Sequence, residues 1–228
     1  MNKSKGNMYE FVNATWNPLA GACPHGCSYC STNKLMRYPA IKNKYTGEPR
    51  LDEKQLTNLG KDNFIFVCAQ NDLFADGVPD SVILPILDHC AKFDNKYLFQ
   101  TKNPDNVLDF INHPAIEKSV ICTTIESDIF YPEIMGNTPQ PMQRSMAMHK
   151  ISYLINTYVT VEPIMDFNLE HFVQMIHRCN PQQVNIGANS FPKIHLPEPS
   201  KEKVLQLISE LEKFTKVVQK SNLTRLIK

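Results

Sequence analysis

The chain has 228 residues, with 24 lysines and arginines against 23 aspartates and glutamates, for a formal net charge of +1. That length buries one sizeable core, and so even a balance gives no support to bulk electrostatic capture of DNA or membrane while leaving room for a local basic patch. With no charged-then-apolar leader and no apolar run long enough to span a bilayer, the expectation is a cytoplasmic protein without membrane contact, folded as a single domain over residues 1–228.

Residues 1–7 are polar and expected to be flexible. Residues 10–15 (EFVNAT) read as a short strand feeding a loop that holds Cys23, Cys27 and Cys30, with Gly21 and Gly26 at its tight spots and Pro18 and Pro24 limiting the chain between them. Residues 33–50 lack periodicity and read as a short helix followed by a surface loop. Residues 52–59 read as a helix capped by Asp52 and ended by Gly60.

From there strands and helices alternate. Residues 64–69 (FIFVCA) form an apolar run of strand length, and residues 81–93 place Val82, Ile83, Ile86, Leu87, Cys90 and Ala91 on one helical side. Residues 96–101 (KYLFQT) repeat the strand, and Asn103-Pro104 opens a helix carrying Val107, Leu108, Phe110 and Ile111. A third unit joins residues 119–126 (SVICTTIE), across a proline-punctuated loop, to a helix over 142–156. Residues 157–163 with 169–178 make the next, and residues 184–187 open the last.

Ser200 then caps what reads as the longest helix, with Val204, Leu207, Ile208, Leu211, Phe214 and Val218 at helical spacing. Its end, residues 213–228, reads as a basic helix and tail: Lys213, Lys216, Lys220, Arg225 and Lys228 follow with no acid after Glu212. Such a run suits either a solvated face near a helix C-terminus or phosphate contact.

Apolar strands alternating with amphipathic helices imply parallel β/α units, about six of them. Periodicity does not separate an open partial barrel from a doubly wound sheet. In either, ligands gather at the carboxyl ends of the strands. After the cysteine loop those ends supply Gln70, Asn71 and Asp72, then Thr101, Lys102 and Asn103, then Glu126 and Ser127, then Glu162 and Asp166, and last Gly187, Asn189 and Ser190.

The cysteines are the sharpest signal. Cys23, Cys27 and Cys30 stand in a C-x3-C-x2-C spacing that suits either a [4Fe-4S] cluster or, with His25 as a fourth ligand, a zinc ion. Three protein ligands on a four-iron cube leave one iron open. The other four, Cys68, Cys90, Cys122 and Cys179, lie in apolar segments and read as buried free thiols.

With Tyr29 just before its last cysteine, the motif resembles the signature of the radical S-adenosylmethionine (SAM) superfamily. The words TWNP, HGC, VEPIMDF and NIGANS further resemble a phage- and bacteria-associated radical-SAM-like domain family of unassigned substrate. The resemblance implies an α/β fold, a partial (β/α)6 TIM-like barrel, with Cys23, Cys27 and Cys30 on three irons and SAM on the fourth. It implies an electron donor of flavodoxin or ferredoxin type, reductive cleavage of SAM to a 5'-deoxyadenosyl radical, and hydrogen abstraction from a substrate.

It also implies roles for residues at the strand ends. AQND stands where the family has a GGE-like turn, which puts Asn71 and Asp72 at the SAM amino group without the family's glycines. Glu126 falls at the ribose and Arg144 at the carboxylate, the latter equally readable as a surface helix residue in a weak ion pair. Lys102 suits SAM or an anionic substrate group, Gly187 with Asn189 the adenine, and Tyr29 the cluster side. A nucleotide or nucleic-acid base is the expected substrate class, and no catalytic residue is named. The competing expectations are a non-catalytic zinc or cluster module that binds a partner or nucleic acid, and a cluster used only for electron transfer.

Overall fold

The computed structural model describes residues 1–3, 7–191 and 193–228. Its frame is one sheet of seven parallel strands: β1 (Ala14–Trp16), β2 (Phe64–Val67), β3 (Lys96–Thr101), β4 (Ser119–Thr124), β5 (Asn156–Val161), β6 (Gln183–Ile186) and β7 (Lys216–Gln219). Asn2–Lys3 adds an antiparallel edge to β1. The strands lie side by side in sequence order. A doubly wound sheet reverses its order at a switch point; here there is no reversal among the described strands, so the sheet is an open partial barrel of TIM type.

The β-strand period of two explains why the strands look apolar throughout. Ile65, Val67, Tyr97, Phe99, Ile121, Val159, Val161, Val184 and Ile186 join the main core under the helices. Phe66, Leu98, Val120 and Cys122 point the other way, into a second cluster closed by Tyr9 and Val12. The helices covering the outer face include α3 (Asp80–Ala91), α4 (Pro141–Ser152), α5 (Leu169–Arg178) and α6 (Lys201–Leu211). The cap expected at Ser200 forms, its Oγ accepting from the Lys203 N–H.

Several expected elements come out differently. The first strand is Ala14–Trp16 rather than 10–15, because the Val12 N–H turns back to the Tyr9 carbonyl and tucks Tyr9 inside the barrel. Two short helices, α1 (Ser31–Leu35) and α2 (Pro39–Lys44), occupy much of the stretch to residue 50. Only a 3-10 turn, Glu53–Gln55, forms in 52–59, since Asp52 takes the Lys44 ammonium at 2.7 Å in place of a cap and Trp16 Nε1 donates to the Gln55 carbonyl. Residues 104–110 are likewise 3-10, with Asn103 turned to Asp76 rather than capping. α6, one residue shorter than α3 or α4, stops at Leu211, and the segment expected as a basic helix and tail is β7 followed by a 3-10 turn and the one-turn α-helix Thr224–Ile227.

Of residues 1–7, expected to be flexible, 4–6 lie outside the described residues. Asn2–Lys3 is paired, and Asn7 bonds to both Glu162 and Ser221. Asn7 thereby joins the amino-terminal segment to the ends of β5 and β7, across the gap that leaves the barrel unclosed. Among the described residues no helix is long and apolar enough to cross a membrane.

Candidate functional site at the strand ends

A cavity of about 490 Å³ opens at the carboxyl ends of the strands, lined on one side by Cys23, Cys27 and Cys30 and on the other by Tyr9, Gln100, Glu162 and Lys220. The cysteine loop is held from three directions. Gly21, at φ +97°, passes so close to residue 48 that a Cβ would stand 2.3 Å from the Glu48 carbonyl oxygen, and its own carbonyl accepts from Asn71 Nδ2. His25 Nε2 lies 2.8 Å from Asp72 Oδ2.

The one-turn helix Pro132–Met135 and the loop after it make the third attachment. The His25 carbonyl accepts from the Asn137 N–H, the Ser28 N–H donates to the Ile134 carbonyl, and Cys27 Sγ donates to the Met135 carbonyl. Gly136, at φ +65°, has no space for a side chain, since its Cβ would meet the His25 oxygen at 2.2 Å.

The AQND turn therefore works as scaffolding as well as cavity wall. Asp72 accepts from His25 and from the Lys102 and Phe74 N–H groups, so one carboxylate fastens the cysteine loop to the end of β3. Burial alone would raise its pKa; the hydrogen bond and charge of His25 and the Lys102 N–H hold it below the usual carboxylate value.

Behind the cysteines lies a buried charge network. Glu126 and Arg144 are both fully buried and meet at 2.7 Å. Arg144 also donates to the carbonyls of Pro139 and Thr124 and to Thr138 Oγ1, with Met135 Sδ at 4.0 Å on the last nitrogen. Four of the five guanidinium N–H groups are committed to oxygen acceptors and the fifth faces Met135; full burial behind the cavity wall rules out the exposed surface pair and leaves no accessible donor for a direct bond to a SAM carboxylate. Tyr29 donates its hydroxyl to Glu126 Oε1, and Lys102 Nζ stands 4.0 Å from the same oxygen.

Burial pushes the Tyr29 hydroxyl well up, with Glu126 adding to it. Burial would raise Glu126 too, but Arg144 and Lys102 bring it below its usual value. The proton between them thus rests on Tyr29. For Lys102, burial opposes the charge, but Cys27 and Glu126 outweigh it and raise the pKa. Burial pushes the Cys23 thiol up to about 12, with Asp72 next, and raises Cys27.

Of the residues singled out from the sequence, Tyr29, Asn71, Asp72, Lys102 and Asn189 line the cavity with the three cysteines, while Glu126, Arg144 and Gly187 stand behind its wall. Asn189 spends its amide on its own loop, bonding Phe191 and Ile194. Gly187 gives space to its neighbours: a Cβ there would come within 2.7 Å of Glu162 Cδ. Glu162, noted only as a strand-end residue, gathers Asn7, Lys220 and Asn222. Lys220 comes from the segment read as a solvated tail, and its Nζ lies 4.5 Å from the Tyr9 ring centroid. Cys68 also lines the cavity; Cys90, Cys122 and Cys179 are buried free thiols.

Among the described residues, no three His, Cys, Asp or Glu side chains are gathered closely enough to hold one metal ion. A tetrahedral zinc, with bonds of about 2.3 Å, would need its sulfurs within ~4 Å of one another. Cys23, Cys27 and Cys30 line one cavity, and three thiolates on one loop are a donor set that would suit a [4Fe-4S] cluster. With the Cys23 and Cys27 thiols kept protonated by burial, a centre bound there would displace protons.

The fold is shared with solved structures at low sequence identity. Spore photoproduct lyase complexed with dinucleoside spore photoproduct superposes with a TM-score of 0.63 at 13% identity, over 90% of this chain and 75% of that one. A lyase mutant with bound AdoMet and dinucleoside spore photoproduct gives 0.64 at the same identity and coverage. Streptococcus suis SuiB bound to S-adenosylmethionine gives 0.54 at 8% identity over 91% of this chain and 50% of SuiB, so this chain spans about half of SuiB's length. At these identities the likeness is one of fold. No curated protein sequence matches the chain. A family model described as protein of unknown function (DUF5131) matches residues 7–194, and the chain belongs to that family.

Proposed function

We propose that the protein is a radical SAM enzyme that holds a [4Fe-4S] cluster on Cys23, Cys27 and Cys30 and binds SAM in the cavity beside it. The observation that carries this reading is convergence: three thiols on one loop share a single cavity with polar side chains from the strand ends of a radical-SAM-type barrel. When bound, the cluster supplies an electron, drawn from a flavodoxin- or ferredoxin-like donor, that cleaves SAM to a 5'-deoxyadenosyl radical able to take hydrogen from a substrate.

The chain's own residues bind and orient. Lys102 keeps a positive charge beside the cysteines, which favours their thiolate form. Asp72 ties the cysteine loop to β3. Asn71, Asp72 and Lys102 are proposed to meet SAM directly, with the Gly187–Asn189 turn at its adenine. Glu126 and Arg144 fix Tyr29 from behind and act on SAM through that wall.

The substrate is proposed to be a nucleotide or a nucleic-acid base, entering on the Tyr9, Gln100 and Glu162 side. Anaerobic reconstitution tests the reading. It should give about four irons per chain and, after reduction with SAM, 5'-deoxyadenosine. One zinc without sulfide would refute it, and a cluster whose spectrum ignores SAM would leave only electron transfer.

A further inference from the structure

The cations inside the cavity are already matched: Lys220 with Glu162 at 2.6 Å and Lys102 with Glu126 at 4.0 Å. Its mouth is different. Asn33 and Met36 on one side and Ser190 and Phe191 on the other line the opening, and the segments that carry them hold Lys34, Arg37 and Lys193. All three are exposed. Among the described residues none pairs with a carboxylate, and neither residues 31–47 nor residues 187–197 contain an aspartate or glutamate. A chain of net charge +1 thus concentrates three unmatched cations at one rim.

Aromatic rings alternate with them. Lys34 Nζ sits 3.1 Å from the Phe191 ring centroid, and the Arg37 guanidinium lies 4.9 Å from that of Tyr38, a ring that is 49% exposed. The Lys34 ammonium is drawn below its usual value, first by lost hydration and then by Lys193 and Arg37, as expected of three cations sharing one neighbourhood.

We infer that this rim is a binding surface for single-stranded nucleic acid, with phosphates on Lys34, Arg37 and Lys193 and one base lowered into the cavity. The division of charge selects this ligand. A phosphodiester keeps its anion outside while presenting an uncharged, hydrogen-bonding ring, and the interior offers such a ring amides, hydroxyls and aromatic faces with no unmatched charge. An acidic peptide has anions to match the rim but no uncharged planar group to match the interior. The exposed Tyr38 ring beside Arg37 gives a stacking face that a strand can use and a duplex, with its bases paired inside, cannot.

The inference rests on the cavity being the reaction site, and its test needs neither cluster nor SAM, so the two can fail separately. Fluorescence anisotropy with labelled dT12 and U12 oligonucleotides is measured across a salt series on the protein and on the K34E/R37E/K193E variant. The three positions are exposed, and a thermal melt checks that the variant folds. With about 0.7 counterions released per phosphate contact on a single strand, the variant should lose about two from the log–log salt slope and bind at least tenfold more weakly. Reversing Lys92, Lys96 and Lys118, exposed elsewhere, should change binding by less than threefold. Better binding of dT12 or of U12 assigns the ligand to DNA or RNA. No oligonucleotide binding, an equal loss in both triple variants, or polyglutamate binding as tightly as either oligonucleotide would overturn the inference.

Discussion

Replacing Arg144 separates a structural clamp from a SAM contact. The guanidinium is fully buried and donates to one carboxylate, two carbonyls and one hydroxyl. In Arg144→Met the apolar length of the side chain survives, but Glu126 becomes a buried carboxylate supported mainly by Tyr29. Removing one partner of a buried ion pair costs about 3–5 kcal/mol, and orphaning the Pro139 and Thr124 carbonyls adds to that. Against a total stability of roughly 5–15 kcal/mol, much of the folding free energy would be lost. With a urea m-value of about 2 kcal/mol/M, the midpoint should fall by about 2 M.

The double variant Arg144→Met with Glu126→Gln removes both charges, so its loss should be smaller than the sum of the single losses by about 1–3 kcal/mol. Urea unfolding of the protein without cluster or SAM measures all four species. A midpoint within 0.3 M (about 0.6 kcal/mol at that m-value) of the parent for Arg144→Met, joined to a tenfold loss of SAM affinity in the reconstituted protein, would refute the clamp and return Arg144 to the carboxylate.

Three further predictions use the same measurements. Glu126 has its pKa lowered in the folded chain, so it contributes stability that is present above the unfolded carboxylate value near pH 4.3 and lost as pH falls through the lower folded value; Glu126→Gln should flatten that acid limb, and an unchanged limb would contradict the network. Gly136→Ala should push the His25 carbonyl away and loosen the cysteine loop, seen as a melting loss of about 1–3 kcal/mol and as faster iron release to a chelator; retention of both would mean the Gly136 contact is slack. Gly187→Ala crowds Glu162 and Asn222 alike and should cost a similar ~1–3 kcal/mol, reduced when Glu162→Gln is added, whereas full additivity would place the strain elsewhere.

How far the sequence reveals this protein depends on how many neighbours an element has. β2 to β5 are buried on both faces, so an apolar run betrays them without reference to anything distant. β7 is an edge strand, KVVQ, half-buried at its centre and exposed at both ends, with one neighbour, β6. Phe214 and Val218 happen to continue the helical spacing of α6, and nothing local reports that the Thr215 hydroxyl leaves to bond the Pro181 carbonyl. Continuing the helix through that strand also displaces Lys220, whose partner Glu162 is 58 residues away. His25 and Asp72, 47 residues apart, are hidden for the same reason.

Polar residues do recur at the strand ends, yet ligand binding alone does not account for them. Loops that must stay over an open barrel, whose described edge strands do not pair with each other, need fastening. Asp72, Asn71, Asn189 and Glu162 supply it: each spends at least part of its side chain on another segment of the cavity rim or on its own loop. Arg144 and Glu126 carry that role to its limit behind the wall. What carries no charge partner is correspondingly informative: three thiols inside the cavity, Cys27 among them bonded only to the Met135 carbonyl, and three cations at its mouth, the former for the group that would start the chemistry and the latter for the strand that would bind there.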